Sequence, residues 1–298
     1  MLKRTLRNAK RDEDEAGMND VIWINGAIVP MAAARISPED RGFQFADGVY
    51  EVIRLYGGKP FALDDHLTRL ERSAAGIQLR VPLARDALKT EIGMLLARAG
   101  VGEGMVYLQL TRGHAPRSHV FPKDAGGTLL FYARPLDPLP SVEANPAVKL
   151  LTVEDERWRR CWVKSIALLP NVLAKNAAVA AGADEAVFVE DGVVSECATS
   201  NLFAVIDGQL VTHPVGPKVL PGITRAVLLD CAREVGVRVD ERAMGLEEAR
   251  GAAEVFITST TREISPVGWW DGQAVGQGGE VRERLHRALR ERVARETR

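Results

Sequence analysis

Two-residue turn signals between short apolar runs constrain the fold of this chain more than any other feature. Asn, Asp and Gly tolerate the positive φ that tight β-hairpin turns require. The turn signals are Asn25-Gly26, Gly57-Gly58, Asp191-Gly192 and Asp207-Gly208. Stretches with apolar residues at helical spacing separate these hairpins. Such a mixture, rather than a regular alternation of strand and helix, predicts an α+β fold.

The period of the apolar residues predicts the individual elements. Strands are expected over residues 21–24, 27–30, 49–56, 59–63, 105–111, 128–133, 148–153, 185–190, 193–196, 202–206, 209–212 and 254–259. Helices are expected over residues 84–99, 168–182, 223–235 and 281–296. A further helix, with Asp64 or Asp65 as its N-cap, carries apolar residues at helical spacing up to Ile77.

Length and proline content predict two domains. The 298 residues exceed the usual size of one domain, which is about 100–200 residues. Residues 134–146 contain four prolines and no clear period, so we place a linker there. We expect a polar N-terminal tail at 1–19, a small N-terminal domain at 20–133 and a large C-terminal domain at 147–298.

Composition excludes several classes of function. A net charge of −1, without a basic motif, argues against binding to nucleic acid or to an anionic membrane surface. The cysteines Cys161, Cys197 and Cys231 lack metal-ligand spacing and are expected to be buried thiols in a reducing compartment. The histidines are scattered, so no metal site is expected. No apolar run reaches 18 residues, and we expect a cytoplasmic protein.

Lys164 is the first candidate for chemistry. The chain contains only nine lysines, and this one lies in an extended-looking segment, 157–165, ahead of an apolar stretch. A lysine that is desolvated there would lose part of its proton affinity, as an imine-forming amine requires. For any single lysine a surface position without a role is the commoner explanation, so Lys164 needs support from other residues.

Three polar segments in the second half supply further candidates. Glu196 precedes small and hydroxyl residues, which suit either a cofactor ring or a turn. The helix predicted to begin at Ile223, after Pro221-Gly222, offers backbone N–H groups and its dipole to an anion. Residues 258–261 are four hydroxyl residues at a strand end, suited to phosphate oxygens or to a plain loop. Each signal is weak alone, and their combination decides.

Together these segments resemble the fold-type IV family of pyridoxal-phosphate enzymes, which includes D-amino-acid and branched-chain aminotransferases and aminodeoxychorismate lyase. The resemblance extends from about Val21 to Val267 and is closest to the bacterial D-amino-acid aminotransferases. Its most specific motifs are DRGFQFADGVYEV at 40–52 and TRGHAPRSH at 111–119. It implies two α/β domains with the cofactor, pyridoxal 5'-phosphate, between them.

The resemblance also implies roles for the candidates. Lys164 would hold the cofactor as a Schiff base and then move the proton between the substrate Cα and the cofactor carbon C4′. Glu196 would face the pyridine nitrogen, where a carboxylate favours the protonated ring. The other residues expected to bind the cofactor are Arg69, Leu220, Ile223, Thr224, Ser259 and Thr260.

The expected substrate-binding residues are Tyr50, Arg117 and His119, which would bind the substrate carboxylate. In the family the Arg and His come from the partner subunit, so a homodimer is implied. An Arg and a His two residues apart project to one face of an extended backbone. Without the resemblance a surface basic pair is the commoner explanation. The Pro-Arg-Ser-His sequence at 116–119 favours a D-amino acid, because the grip on the carboxylate decides which Cα hydrogen faces the lysine.

The expected function is ping-pong transamination between a D-amino acid, such as D-alanine, and a 2-oxo acid, such as 2-oxoglutarate. The alternatives are a branched-chain L-amino-acid aminotransferase, an aminodeoxychorismate lyase and a cofactor-free binding protein on the same scaffold. Small departures from the family pattern are Ala46 for glycine, Phe43 for tyrosine and Ala198-Thr199 for a serine pair. None of them removes an expected catalytic group.

Overall fold

The computed structural model of the protein describes residues 20–123, 126–276 and 278–298. The predicted polar tail, residues 1–19, lies outside these described residues. Sixteen strands and seven α-helices form within them. In this described part of the chain, no helix is both long and apolar enough to cross a membrane.

The first sheet contains six of the described strands, all from the first half of the chain. β1 to β6 are Val21–Ile24, Ala27–Pro30, Gly48–Tyr56, Lys59–Pro60, Gly104–Thr111 and Thr128–Pro135. Their order across the sheet is β2-β1-β6-β5-β3-β4, and all the neighbours are antiparallel. Two-residue turns close the β1–β2 and β3–β4 hairpins, and Asn25 takes a positive φ of 47° in the first of them, as its turn signal predicts.

The second sheet contains the other ten described strands. β7 to β16 are Val148–Glu154, Glu185–Glu190, Val193–Cys197, Asn201–Ile206, Gln209–Thr212, Val239–Glu241, Met244–Gly245, Glu254–Ser259, Glu263–Trp270 and Gln273–Ala274. Their order is β12-β11-β10-β14-β15-β7-β8-β9-β13, with β16 paired to β15. The β15–β7, β7–β8 and β11–β12 pairs are parallel, so this sheet is mixed.

The helices cover the faces of both sheets. α1 to α7 are Arg41–Phe45, Leu63–Gly76, Arg85–Ala99, Leu169–Ala180, Ile223–Glu234, Leu246–Arg250 and Glu280–Glu296. α2 packs on β3, and α3 packs on β1 and β6, around a core that includes Ile53, Leu70 and Phe131. α5 and α7 pack on each other and on β14, while α4 packs on β7 and β8. The mixture of hairpins and helices confirms the predicted α+β class.

Two local predictions are wrong. The strand predicted over 59–63 ends at Pro60, because α2 already begins at Leu63. The N-cap of α2 is Ala62, in the left-handed region at φ 52°, rather than Asp64 or Asp65, which lie in the first turn and favour the helix dipole there. Sequence reasoning also missed β15, a central strand, because Pro266 within it disfavours a strand prediction.

The cysteines and the linker have different outcomes. Cys161, Cys197 and Cys231 are free and buried, as predicted. β6 extends to Pro135 and β7 begins at Val148, so residues 136–147 join the two sheets. The domain boundaries at 20–133, 134–146 and 147–298 stay a prediction.

Ala46, one of the departures from the family pattern, ends α1 in a strained conformation. Its φ of 53° and ψ of 33° lie in the left-handed region, where a Cβ costs about 1–2 kcal/mol and glycine avoids that cost. Its backbone N–H donates to the carbonyl oxygens of Arg41 and Gly42, which closes the helix end. A glycine at this position therefore has a physical advantage.

Replacing Ala46 by glycine is expected to stabilise the protein. We expect Ala46→Gly to raise the free energy of unfolding by about 1 kcal/mol in urea melts, because relief of the strain exceeds the entropy cost of glycine. Ala97→Gly, at an exposed position inside α3, is the matched control and should lower it by about 1 kcal/mol. Destabilisation by both variants would contradict the strain argument.

Candidate active site

Lys164 lies where the first sheet meets the second half of the chain. The segment around it pairs with β3: Tyr50 donates its backbone N–H to the Lys164 carbonyl at 3.0 Å, and Ile166 donates to the Gly48 carbonyl at 3.1 Å. The Lys164 backbone N–H donates to the hydroxyl of Ser73 on α2 at 3.1 Å. Its Nζ lies 4.2 Å from the centre of the Tyr50 ring, and the side chain is half-buried. The amine is thus partly desolvated and held in place.

Glu196 lies on β9 in the wall of the same cavity and is 4% exposed. One carboxylate oxygen accepts a hydrogen bond from Arg157 Nη1 at 2.6 Å. The other accepts from the Asn201 side-chain amide and from the Leu220 backbone N–H, each at 3.0 Å. Burial raises the pKa of Glu196 to about 7, against the opposing effects of Arg157 and the Leu220 N–H. Near neutral pH this carboxyl is therefore close to the midpoint of its titration.

Arg157 belongs to a buried ion network behind Glu196. Its guanidinium also donates to both oxygens of Asp155 at 2.9 Å and lies 4.0 Å from the centre of the Phe188 ring. Although burial opposes its charge, hydrogen bonds to Asp155 and the charge of Glu196 raise the pKa of Arg157. The network leaves a permanently charged guanidinium in contact with a carboxyl whose protonation is finely balanced.

The N-terminus of α5 forms another wall of the cavity. The helix begins at Ile223, with Gly222 as its N-cap, and no side chain accepts a hydrogen bond at that cap. The first N–H groups of a helix have no partner within it and carry the positive end of the dipole, so they suit an anion. A Cβ on Gly222 would lie 2.0 Å from the Asn201 amide oxygen, which explains glycine here. Ile223 and Thr224 both line the cavity.

Hydroxyl groups from three strand ends and loops complete this wall. Thr258, Ser259, Thr260 and Thr261 line the cavity at the end of β14, and Ser200 lines it beside β10. Among the described residues, the hydroxyls of Ser200 and Thr258 are buried without a hydrogen-bond partner. Buried hydroxyls without partners are costly, so a polar ligand in the cavity would satisfy them.

Arg69 is held in the cavity wall by a buried carboxylate. Its Nε and Nη2 donate to the two oxygens of Glu51, both at 2.7 Å, and its Nη1 donates to the Pro221 carbonyl at 3.0 Å. His66 contacts the same carboxylate, with 2.8 Å between its Nδ1 and Glu51 Oε2. Although burial raises the pKa of Glu51, Arg69 and His66 together lower it to about 2. Arg69 is therefore ion-paired and fixed next to the start of α5.

One cavity of about 830 Å³ brings most of the predicted site residues together. The predicted residues that line it are Tyr50, Arg69, Lys164, Glu196, Leu220, Ile223, Thr224, Ser259 and Thr260. Sequence reasoning missed Glu51, Arg157 and Asn201, which position the predicted residues. A carboxylate within the apolar strand 49–55 was a signal for Glu51, but nothing distinguished Arg157 from Arg159 and Arg160 beside it.

Arg117 and His119 lie apart from the other predicted residues. Both are exposed, and within the described part of the chain neither lines the cavity. Their side chains contact Phe45 instead, with the Arg117 Cζ 4.5 Å from the ring centre and the His119 ring centre at 5.4 Å. The site in one chain therefore lacks two of the three residues predicted to bind the substrate carboxylate.

Comparisons with known proteins agree on the family. The chain matches the family model described as amino-transferase class IV over residues 48–270. D-alanine aminotransferases from Bacillus licheniformis and Listeria innocua are 39% and 42% identical to it, over 93% and 92% of this chain and 98% and 96% of theirs. The protein belongs to the class IV aminotransferase family.

Solved structures agree with the fold. The branched-chain amino acid aminotransferase of Escherichia coli has a TM-score of 0.85 and 26% identity, and the match covers 94% of this chain and 96% of that one. A second branched-chain amino acid aminotransferase, from T.th. and solved with pyridoxamine 5'-phosphate, has a TM-score of 0.85 and 27% identity, over 93% and 95%. The predicted fold-type IV class is confirmed.

The Glu51–Arg69 pair is expected to be important for stability. We expect Glu51→Gln to lower the free energy of unfolding by about 3 kcal/mol, because it leaves a buried guanidinium without its counter-charge. Glu71→Gln is the matched control, since Glu71 forms a similar two-point pair with Arg85 on the surface. Its effect should stay below about 1 kcal/mol in the same denaturant titration. Equal losses in the two variants would contradict this assignment.

The same pair predicts a pH dependence. The pKa of Glu51 is lowered from 4.5 to about 2 on folding, so its ionised form stabilises the folded state. That contribution is fully present above about pH 4.5 and is lost as the pH falls toward 2. Denaturant melts between pH 6 and pH 2 should therefore show a steeper acid-side loss of stability in the parent protein than in Glu51→Gln. Parallel curves would contradict the cited pKa shift.

Proposed function

We propose that the protein is a pyridoxal-5'-phosphate-dependent aminotransferase that transfers the amino group between a D-amino acid and a 2-oxo acid by a ping-pong mechanism. D-alanine and 2-oxoglutarate are the substrates proposed, giving pyruvate and D-glutamate. The observation that carries the proposal is the presence of Lys164 and Glu196 in one cavity, in a chain about 40% identical to curated D-alanine aminotransferases over nearly its whole length.

The residues of the cavity fit the cofactor. Arg69, the start of α5 and the hydroxyl of Thr260 offer charge and hydrogen-bond donors to a phosphate group. The unpartnered hydroxyls of Ser200 and Thr258 call for a polar ligand. Glu196 offers a carboxyl to a ring nitrogen, and Leu220 lies in the cavity wall, where it would pack against a ring. When bound, pyridoxal 5'-phosphate supplies an aldehyde that takes the amino group and a ring that withdraws electrons from Cα.

The chain's own residues would then divide the work. The Nζ of Lys164 would take the proton from the substrate Cα and return it, since it is the amine that the β3 pairing holds in the cavity. Glu196 would keep a negative charge or a shared proton at the ring nitrogen, which its pKa of about 7 allows. Glu51 keeps Arg69 oriented for phosphate binding. Tyr50 would contact the substrate beside Lys164.

A spectrum of the purified protein tests this function. We expect the absorbance of the bound cofactor to be converted by D-alanine and not by L-alanine. Lys164→Ala should lower the rate with D-alanine by at least about 1,000-fold, since it removes both the covalent bond and the proton carrier. Lys149→Ala, at an exposed position on β7, is the control and should leave the rate unchanged.

Other outcomes identify the alternatives. Conversion by L-leucine but not by D-alanine would favour a branched-chain L-amino-acid aminotransferase, the second candidate, which the TM-scores of 0.85 favour. Release of pyruvate without an amino acceptor would favour a lyase. Purified protein without cofactor absorbance, and a function that survives Lys164→Ala, would favour a binding protein.

The proposal includes a homodimer in which Arg117 and His119 serve the cavity of the partner subunit. Their distance from the cavity lining of their own chain supports it. Exposed apolar side chains near them also support it, because large exposed apolar groups mark interaction surfaces. Phe43 is 79% exposed and Val120 is 76% exposed. Further large exposed apolar residues on α4 are Leu169, Val172, Leu173 and Val179.

A mixed dimer tests this exchange of residues. Lys164→Ala and Arg117→Ala should each be nearly inactive with D-alanine. When the two variants are unfolded together and refolded, half of the dimers should be mixed, and each should contain one intact site, which restores about a quarter of the parent activity. No restoration in the mixture, together with activity in the refolded parent, would show that Arg117 serves its own chain or none.

A further inference from the structure

The segment that carries Arg117 and His119 is attached to a buried ion cluster. Arg41, which is 3% exposed, donates from Nη1 to the backbone carbonyl of Ser118 at 2.5 Å. Ser118 is the residue between Arg117 and His119, so this bond fixes the backbone that both side chains leave. No regular helix or strand covers residues 112–123 of the described chain, and Arg41 supplies order that secondary structure does not.

Asp47 holds Arg41 in this position. Its Oδ2 accepts from the Arg41 Nε at 2.8 Å, and both of its oxygens accept from Arg112 at 2.8 and 2.9 Å. Arg112 also donates to the Ile77 and Gln78 carbonyls at the end of α2. One carboxylate thus connects α1, the start of the 112–123 segment and α2. Although burial raises the pKa of Asp47, Arg112 and Arg41 lower it, so the cluster stays charged.

Phe45 provides a surface for the two side chains themselves. The Arg117 Cζ lies 4.5 Å from the ring centre, the Arg41 Cζ lies 4.9 Å from it, and the His119 ring centre lies 5.4 Å from it. An aromatic face attracts cations within about 6 Å. Arg41 and Phe45 are four residues apart on α1, which places them on the same side of the helix.

We propose that Arg41 and Phe45 are positioning residues that hold Arg117 and His119 in the orientation that recognises the substrate carboxylate. The inference rests on the proposed function, in which these two side chains bind that carboxylate. An exposed arginine loses roughly 1.5–2 kcal/mol of rotamer freedom when it is ordered. Contacts made before the substrate arrives reduce the part of that cost which binding has to offset.

Comparison of D-alanine with D-alaninamide, which lacks the carboxylate, tests this inference. The variants are Arg41→Lys, which keeps the charge beside Asp47 but lacks the fork that reaches Ser118, and Phe45→Leu, which keeps an apolar side chain without the aromatic face. Both should lower the ratio of kcat/KM for D-alanine to that for D-alaninamide by about 10-fold, the effect expected for one hydrogen bond from a charged group. The activity with D-alaninamide and the amount of bound cofactor should stay at the parent level.

Arg282→Lys is the matched control, because Arg282 is also buried and lies on α7, outside the cavity lining of the described residues. It should leave the ratio unchanged. A loss with both substrates alike in Arg41→Lys would mean a general structural role and would overturn the inference.

Two reference variants separate the inference from the proposed function. Arg117→Ala and His119→Ala should lower the same ratio. A lowered ratio in these two, with unchanged ratios in Arg41→Lys and Phe45→Leu, would overturn the inference alone. Unchanged ratios in Arg117→Ala and His119→Ala would overturn the carboxylate role in the proposed function, and the inference with it.

Discussion

The site depends on the pairing of β3 with the segment that carries Lys164. Two backbone hydrogen bonds, from Tyr50 to the Lys164 carbonyl and from Ile166 to the Gly48 carbonyl, attach this segment to the edge of the first half of the chain. Gly48 is required there, since a Cβ on it would lie 2.6 Å from the Leu110 carbonyl oxygen. Because the bonds are made by the backbone, they place the lysine amine with little dependence on neighbouring side chains.

β3 also organises the rest of the cavity, since its side chains alternate between two faces. Tyr50 and Val52 face the cavity, and Arg54 on the same side donates to the Thr261 carbonyl at 2.6 Å, in the hydroxyl-rich loop after β14. Glu51 points to the opposite face and orients Arg69. A single nine-residue strand thus positions the lysine segment, the arginine and the hydroxyl loop.

Buried charges are paired throughout the site, and the pairing has a physical reason. A buried ion pair is weak evidence for stability, because desolvation offsets much of the Coulomb attraction, but the loss of one partner is costly. Glu51 with Arg69, Glu196 with Arg157, and Asp47 with Arg41 therefore keep their geometry whether or not a ligand is bound. For binding and catalysis, such fixed geometry avoids reorganisation when the substrate arrives.

The amino-acid sequence by itself determined the α+β class, most of the strands and helices, and the residues that line the cavity, because local period, turn chemistry and the family motifs are all written along the chain. Only the tertiary structure decided which groups orient them. Glu51 and Arg69 are 18 residues apart, Arg157 and Glu196 are 39, and Arg41 and Ser118 are 77. Contacts over such separations leave no local pattern. The same holds for Ala62, whose left-handed start of α2 replaced the expected aspartate cap, and for the central strand that contains Pro266, because packing overrides local preference at both places.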